Sequence, residues 1–141
     1  MNRTFELGAR LATATERGLD AVGLTLARAT LIWHVHHHGP LTQRELSQAL
    51  GVTPRNVTGL VDALEATGFV ARTPHPTDRR ATLITLTERG RQTATLRDND
   101  YQEFAVAVFG GIPAGQLGEF IGVVDHALAR LRESDPDGVP R

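Results

Sequence analysis

LTQRELSQALGVTPRNVTGLVDALEATGFV, residues 41–70, contains two helix starts and a helix stop in close succession. Thr42 followed three residues later by Glu45 is a capping box, in which each side chain satisfies a backbone N–H that the first turn leaves free. Leu46, Ala49 and Leu50 give this helix a short apolar stripe, and Gly51 stops it. Thr53 then reads as an N-cap with Pro54 in the first helical position, where its missing N–H costs nothing. Val57, Leu60, Val61 and Leu64 follow at i, i+3, i+4 and i+7, so one face of a helix running to about Thr67 is apolar. Two short helices joined by a tight glycine-containing turn are the helix-turn-helix pattern.

Downstream, FVARTP and ATLITLT alternate like strands, and His75-Pro76-Thr77-Asp78-Arg79-Arg80 joins them with turn-forming residues. A hairpin beside a helix-turn-helix is a wing, and arginines at its tip suit the negative potential of a minor groove. Asp78, two residues before Arg80, is placed to hold that guanidinium through a bidentate pair. Arg72 and Arg79 are better placed for phosphates. On the second helix of the pair, Arg55, Thr58, Gly59 and Asp62 face away from the apolar stripe, with Asn56 on the flank. Arginine reads guanine and asparagine reads adenine in a major groove, and Gly59 permits close backbone approach. Asp62 would repel phosphate, so it orients an arginine or accepts from a cytosine amine.

Around this segment, residues 3–18 and 20–38 read as helices, the second ended by Gly39-Pro40. On it Leu24, Leu31 and Val35 share one face, with Leu26 and Trp33 roughly opposite, which predicts burial on two sides. Thr87 caps a helix over about 88–109, Gly110-Gly111 breaks it, and a last helix covers about 114–133. Leu117, Phe120, Ile121, Val124, Leu128 and Leu131 form its apolar stripe. SDPDGVPR reads as a flexible tail.

Composition narrows the function classes. The 141-residue chain has no cysteine, which excludes disulfides and thiol chemistry, and all 15 of its Lys+Arg residues are arginine. The net charge of −1 rules out bulk electrostatic binding, yet residues 41–91 hold seven arginines against five acids, while residues 92–141 hold four against eight. No run approaches the roughly 18–20 apolar residues of a membrane span. The charged N-terminal stretch lacks a signal peptide's apolar block, so a cytoplasmic protein without membrane partners is expected.

Taken together, ALGVTPRNVTGLVDALEATGFV (49–70), the DRR tip (78–80) and LTERG (86–90) closely resemble the MarR family of bacterial transcriptional regulators. The resemblance covers about half the chain by motif. It implies a mainly α, α+β winged helix-turn-helix fold of about six helices with a two-stranded β wing. Residues 1–38 would be the N-terminal dimerisation and connecting helices, 39–90 the DNA-binding region, 91–133 the C-terminal dimerisation helices and 134–141 the tail. It further implies a homodimer on pseudo-palindromic double-stranded DNA, most often a repressor, released by a small aromatic or anionic effector. The family's recognition helix maps to Pro54–Thr67, opened by Thr53. Its wing arginine maps to Arg80 with Asp78 as support, and its phosphate contacts map to Thr42 and Gln43. The effector pocket would involve Leu26, Trp33 and His37, with Trp33 as a packing residue the alternative. The two-fold axis would place two recognition helices roughly 34 Å apart.

Two other readings arise from HVHHH. His34 and His38 are four apart with His37 between them, a spacing that suits a zinc-responsive regulator of the same fold. The same run superficially resembles a metallohydrolase motif, but it lacks the aspartate, and no nucleophile elbow or phosphate-binding loop accompanies it. A winged helix that binds proteins is a third alternative, against which Arg79 and Arg80 at the tip argue. A regulator that is not an enzyme and needs no cofactor is the reading these residues favour.

Overall fold

The computed structural model describes residues 2–134. It divides into two compact units with the boundary between Arg91 and Gln92. The first unit therefore joins residues up to 38, expected as dimerisation and connecting helices, with the helix-turn-helix and wing. From residue 135 onward the expected tail lies outside the described residues.

In the first unit, α1 (Arg3–Asp20) begins at Asn2, whose side chain accepts from the Thr4 amide. The predicted continuous helix from residue 20 does not form. α1 extends to Asp20, a turn follows with Gly23 at φ +70°, and α2 (Leu26–His38) starts at the N-cap Thr25. The turn closes through the Leu24 amide donating to the Leu19 carbonyl at 3.1 Å, and both leucines are buried. Leu24 thus fills the core from the turn, its apolar spacing having mimicked a helix face. α2 is buried along Leu31, Ile32 and Val35, while Leu26 and Trp33 are 59% and 44% exposed, so the expected burial on two sides is not met within this chain.

β1 (Leu41–Thr42) leads into α3 (Gln43–Leu50), and α4 (Pro54–Ala66) follows. β2 (Val70–Pro74) and β3 (Thr82–Leu86) form the wing. The sheet has three strands in the order β1-β3-β2, all antiparallel, not the two expected. Leu41 pairs with Ile84 and Thr42 with Leu83, so the strand that opens α3 ties it to the wing. Leu46, Val57, Val61, Leu64 and Ile84 are fully buried and form the core of this unit. Burying a large aliphatic side chain contributes about 1.5–3 kcal/mol, so this layer fixes the angle between α3, α4 and the sheet.

α5 (Glu88–Phe109) begins where the Thr87 hydroxyl accepts from the Gly90 amide at 3.1 Å, as its capping role predicts. α6 (Ala114–Ser134) follows Gly111, and the Phe109 and Phe120 rings lie 6.1 Å apart. In this second unit Phe104, Val108, Phe120, Ile121, Val124, Leu128 and Leu131 are all at least 36% exposed. Among the described residues no single helix is long and apolar enough to cross a membrane.

Candidate nucleic-acid interface

The local chemistry of residues 41–58 sets two helix ends side by side. The Thr42 hydroxyl accepts from the Glu45 amide, and the Thr42 amide donates to Glu45 Oε2 at 2.7 Å, completing the capping box. The Thr42 amide most, and next its hydroxyl, which also donates to Glu45 Oε2 at 2.8 Å, hold the Glu45 carboxyl below its usual range; slight burial opposes them and the His75 ring adds a weaker pull. Gly51 adopts the left-handed conformation that ends α3, and the Ser47 hydroxyl donates to the Val52 carbonyl at 2.6 Å to fix the turn. Thr53 Oγ1 accepts from the Asn56 amide, with Pro54 in the first turn of α4. Thr58 Oγ1 lies 3.2 Å from Gln43 Oε1, so the first residue of α3 is joined to the outer face of α4.

With Val57, Val61 and Leu64 turned inward, Arg55, Asn56, Thr58, Gly59 and Asp62 are exposed together with Thr53 and Pro54. A Cβ built at Gly59 meets nothing within 4 Å, so this face is open at its centre. The second basic element is the wing tip, where Asp78, Arg79 and Arg80 are exposed.

Two side chains are placed differently from expectation. Arg72 is not a free cation. Its guanidinium bonds Asp62 at 2.5 Å and also Glu65, and its amide donates to Glu65 Oε1 at 3.2 Å. The Asp62 bond is the main cause of its raised pKa; partial burial opposes it, and Glu65 adds to it. This three-residue clamp ties α4 to β2 and uses the charge that a phosphate contact would need. Asp62 orients an arginine, as one of its two expected roles had it. Asp78 Oδ1 accepts from the backbone amide of Arg80 at 2.9 Å instead of pairing with its guanidinium. At two residues' separation in a tight turn, a short carboxylate reaches the near amide more readily than a side-chain end. The Arg80 guanidinium is left to project.

Sequence reasoning passed over His75. Its Nδ1 accepts from the amides of Thr77 and Asp78 at 3.3 and 3.1 Å, in the manner of an aspartate or asparagine opening a turn. Its place before Pro-Thr-Asp was the available signal.

On α2, the His34 and His38 rings stack with centroids 5.7 Å apart, while His37 packs on Trp33 at 4.6 Å. Among the described residues, His34, His37 and His38 do not converge as a three-ligand set. His34 has a buried Nδ1 without a hydrogen-bond partner, and its pKa is lowered, first by burial and then by the His38 charge. The unfolded chain therefore takes up this proton first as pH falls. Stability is full above the ordinary value of 6.5 and is lost as pH drops toward the folded value. Thermal melts from about pH 8 to 5 should show this slope, and His34→Gln should reduce it.

A cavity of about 450 Å³ is lined by Val35, His36, Pro40, Thr85, Leu86 and Arg91. Arg91 donates to the Leu86 carbonyl at 2.8 Å and to Glu88 at 2.9 Å. Leu26, Trp33 and His37, the expected effector residues, are not among its lining residues; all three are exposed on α2.

Residues 22–81 match the sequence model of the MarR family. The HTH-type transcriptional regulator YfiV of Bacillus subtilis is 30% identical over 69 residues, 49% of this chain and 43% of that protein. The chain thus spans less than half the length of that curated relative. Among solved structures, Streptococcus pneumoniae FabT in complex with DNA superposes with a TM-score of 0.75 at 17% identity, covering 92% of this chain and 98% of FabT. The heme sensor PefR of Streptococcus agalactiae, in complex with heme, gives 0.67 at 21% identity, covering 94% of each chain. The matched segment, less than half of the chain, contains α2 to the wing tip, and the structural likeness extends the winged helix-turn-helix fold of such regulators over nearly the whole chain.

Proposed function

We propose that this chain is a ligand-responsive transcriptional regulator, a cytoplasmic repressor that binds pseudo-palindromic double-stranded DNA as a homodimer. The observation that carries this reading is the exposed polar face of α4, from Arg55 to Asp62, beside a hairpin whose tip bears two exposed arginines. A major groove admits one α-helix, and Arg55 and Asn56 lie at its N-terminal end, where recognition helices contact base edges. Thr42 and Gln43 start the preceding helix and supply backbone-phosphate contacts. Arg80 enters the minor groove, with Arg79 on the adjoining phosphate. The DNA complex of FabT supports this reading.

The effector is a small aromatic or anionic molecule. The cavity is lined by the apolar Val35, Pro40 and Leu86 together with His36 and Arg91, whose guanidinium is braced by the Leu86 carbonyl and Glu88. Such a combination binds a flat anion through charge at one end and apolar contact along the rest. PefR's complex with heme supports effector binding on this fold. The exposed Trp33–His37 pair is a second place where an aromatic ligand would stack.

Fluorescence anisotropy against a duplex selected by the protein from a random pool, titrated at several salt concentrations, tests the reading. Tight, salt-dependent binding with a wide gap over scrambled DNA is expected. Equal binding to both would remove sequence recognition from the proposal. Arg80→Ala is expected to cost about 1–3 kcal/mol of specific binding with the oligomeric state unchanged. Unaltered affinity in that variant would take the wing out of the interface.

A further inference from the structure

The wing tip is organised around one imidazole. The backbone amide of His75 donates to the Ala81 carbonyl at 3.1 Å, closing the loop, and the Ala81 amide donates to the Asp78 carbonyl at 3.1 Å. Inside the loop, His75 Nδ1 accepts from the Thr77 and Asp78 amides, and the Thr77 hydroxyl lies 3.3 Å from the same nitrogen. Asp78 passes the order onward by accepting from the Arg80 amide. Two backbone donors converging on one ring nitrogen require that nitrogen to carry a lone pair, which places the proton of the neutral ring on Nε2. In the imidazolium both nitrogens are donors, and the arrangement is lost.

We propose that His75 is a positioning residue for DNA recognition, and that its unprotonated Nδ1 sets the wing-tip turn that presents Arg79 and Arg80. This inference rests on the DNA-binding reading above and adds a proton dependence to it. Glu45 on α3 acts electrostatically on the ring, and Asp78, Arg79 and Arg80 are the charged residues that follow it in the tip. Protonation has two opposed consequences. The turn loses its acceptor, which weakens specific contacts, while the added positive charge strengthens non-specific attraction to phosphate. The ratio of specific to non-specific affinity therefore falls with pH more sharply than either affinity alone.

Asparagine is the informative replacement. Its Oδ1 is attached to Cγ, as Nδ1 is, accepts the same two amides, and does not titrate. The full chain and its His75→Asn, His75→Ala and Arg80→Ala variants would be titrated by anisotropy against a duplex selected at pH 8 and its scrambled counterpart, from about pH 8 to 5.5. The wild-type specificity ratio is expected to fall across this range. His75→Asn should keep the high-pH ratio and flatten the profile. His75→Ala should lower the ratio about tenfold at pH 8, the effect of losing one or two backbone hydrogen bonds. An alanine variant equal to wild type at pH 8, or an asparagine variant that follows the wild-type profile, overturns the proposal.

Amide NMR of the free protein separates this from failure of the DNA reading. The Thr77 and Asp78 resonances should move with His75 protonation, and should not in His75→Asn. Stationary resonances overturn the turn-setting role even where DNA binding holds. Moving resonances in a protein that selects no DNA at any pH leave the turn chemistry standing, and overturn the DNA reading and the presentation role together.

Discussion

Ile121→Glu is expected to give a chain that still folds in its first unit, sediments as a monomer, and binds the selected duplex about 10²–10⁴-fold more weakly than wild type. Ile121 is 50% exposed on α6, and Phe120, Val124, Leu128 and Leu131 beside it are 42%, 36%, 43% and 65% exposed. Soluble monomers rarely expose contiguous apolar surface on this scale, and such a face marks a protein partner. A second copy of the same face is the occupant that also explains the DNA reading, because a two-fold axis aligns two recognition helices with two half-sites. A buried, unpaired glutamate at the centre of that contact costs more than the pairing returns. Sedimentation velocity and anisotropy on the same preparation check both halves, with Ile121→Val as the control that keeps the face apolar. A variant that remains dimeric with unchanged affinity would place the partner surface elsewhere.

How far the fold was legible follows from the distance over which each interaction acts. The capping box of Thr42 and Glu45, the Thr53-Pro54 start, the Gly51 stop and the Thr87 cap all join residues within about a turn of one another, and each forms as the sequence predicts. Local chemistry also turned the correct face of α4 inward. β1 was missed because two residues have no periodicity, and their partners, Ile84 and Leu83, lie some forty positions downstream. The Arg72 clamp failed for the same reason: Asp62 and Glu65 are ten and seven residues upstream, and only the register of β2 against α4 brings them together.

The two errors near the N-terminus and at the tip were of another kind. Leu24 satisfied helical spacing, but Gly23 and the Thr25 cap were local signals for a break that the apolar pattern outweighed. At the tip, the sequence pairs Asp78 with the Arg80 guanidinium, although a two-residue separation favours the amide. In the candidate site, the exposed face of α4 was readable from periodicity alone. The cavity lining was not, since a cavity depends on how α2 meets β3, and Val35, His36, Leu86 and Arg91 share no pattern.

Gly90→Ala is expected to destabilise the first unit by about 3 kcal/mol, near the upper end for overpacking. A Cβ at Gly90 would sit 2.1 Å from the Phe69 carbonyl oxygen, 3.1 Å from its carbon and 3.3 Å from Leu86 Cβ. The nearest obstacle is backbone, not a side-chain end that can swing away. That carbonyl is also pinned, because it accepts from the Thr87 amide at 3.1 Å and lies 3.1 Å from the Thr87 hydroxyl. Phe69 is held in turn by its amide on the Leu64 carbonyl at 2.8 Å and by the Arg89 guanidinium over its ring at 4.4 Å. Relieving the clash means parting the end of α4, the start of β2 and the start of α5. Gly8→Ala on α1 is the matched control, since a Cβ there meets nothing within 4 Å. Alanine in an exposed helix should stabilise it by about 0.5–1 kcal/mol relative to glycine. Thermal melts followed by circular dichroism should therefore move in opposite directions, with Gly90→Ala lower by roughly 10 °C and Gly8→Ala unchanged or slightly higher. Equal melting of Gly90→Ala and wild type would mean that α5 does not approach Phe69 so closely, and the junction that sets the wing against the recognition helix would have to be redrawn.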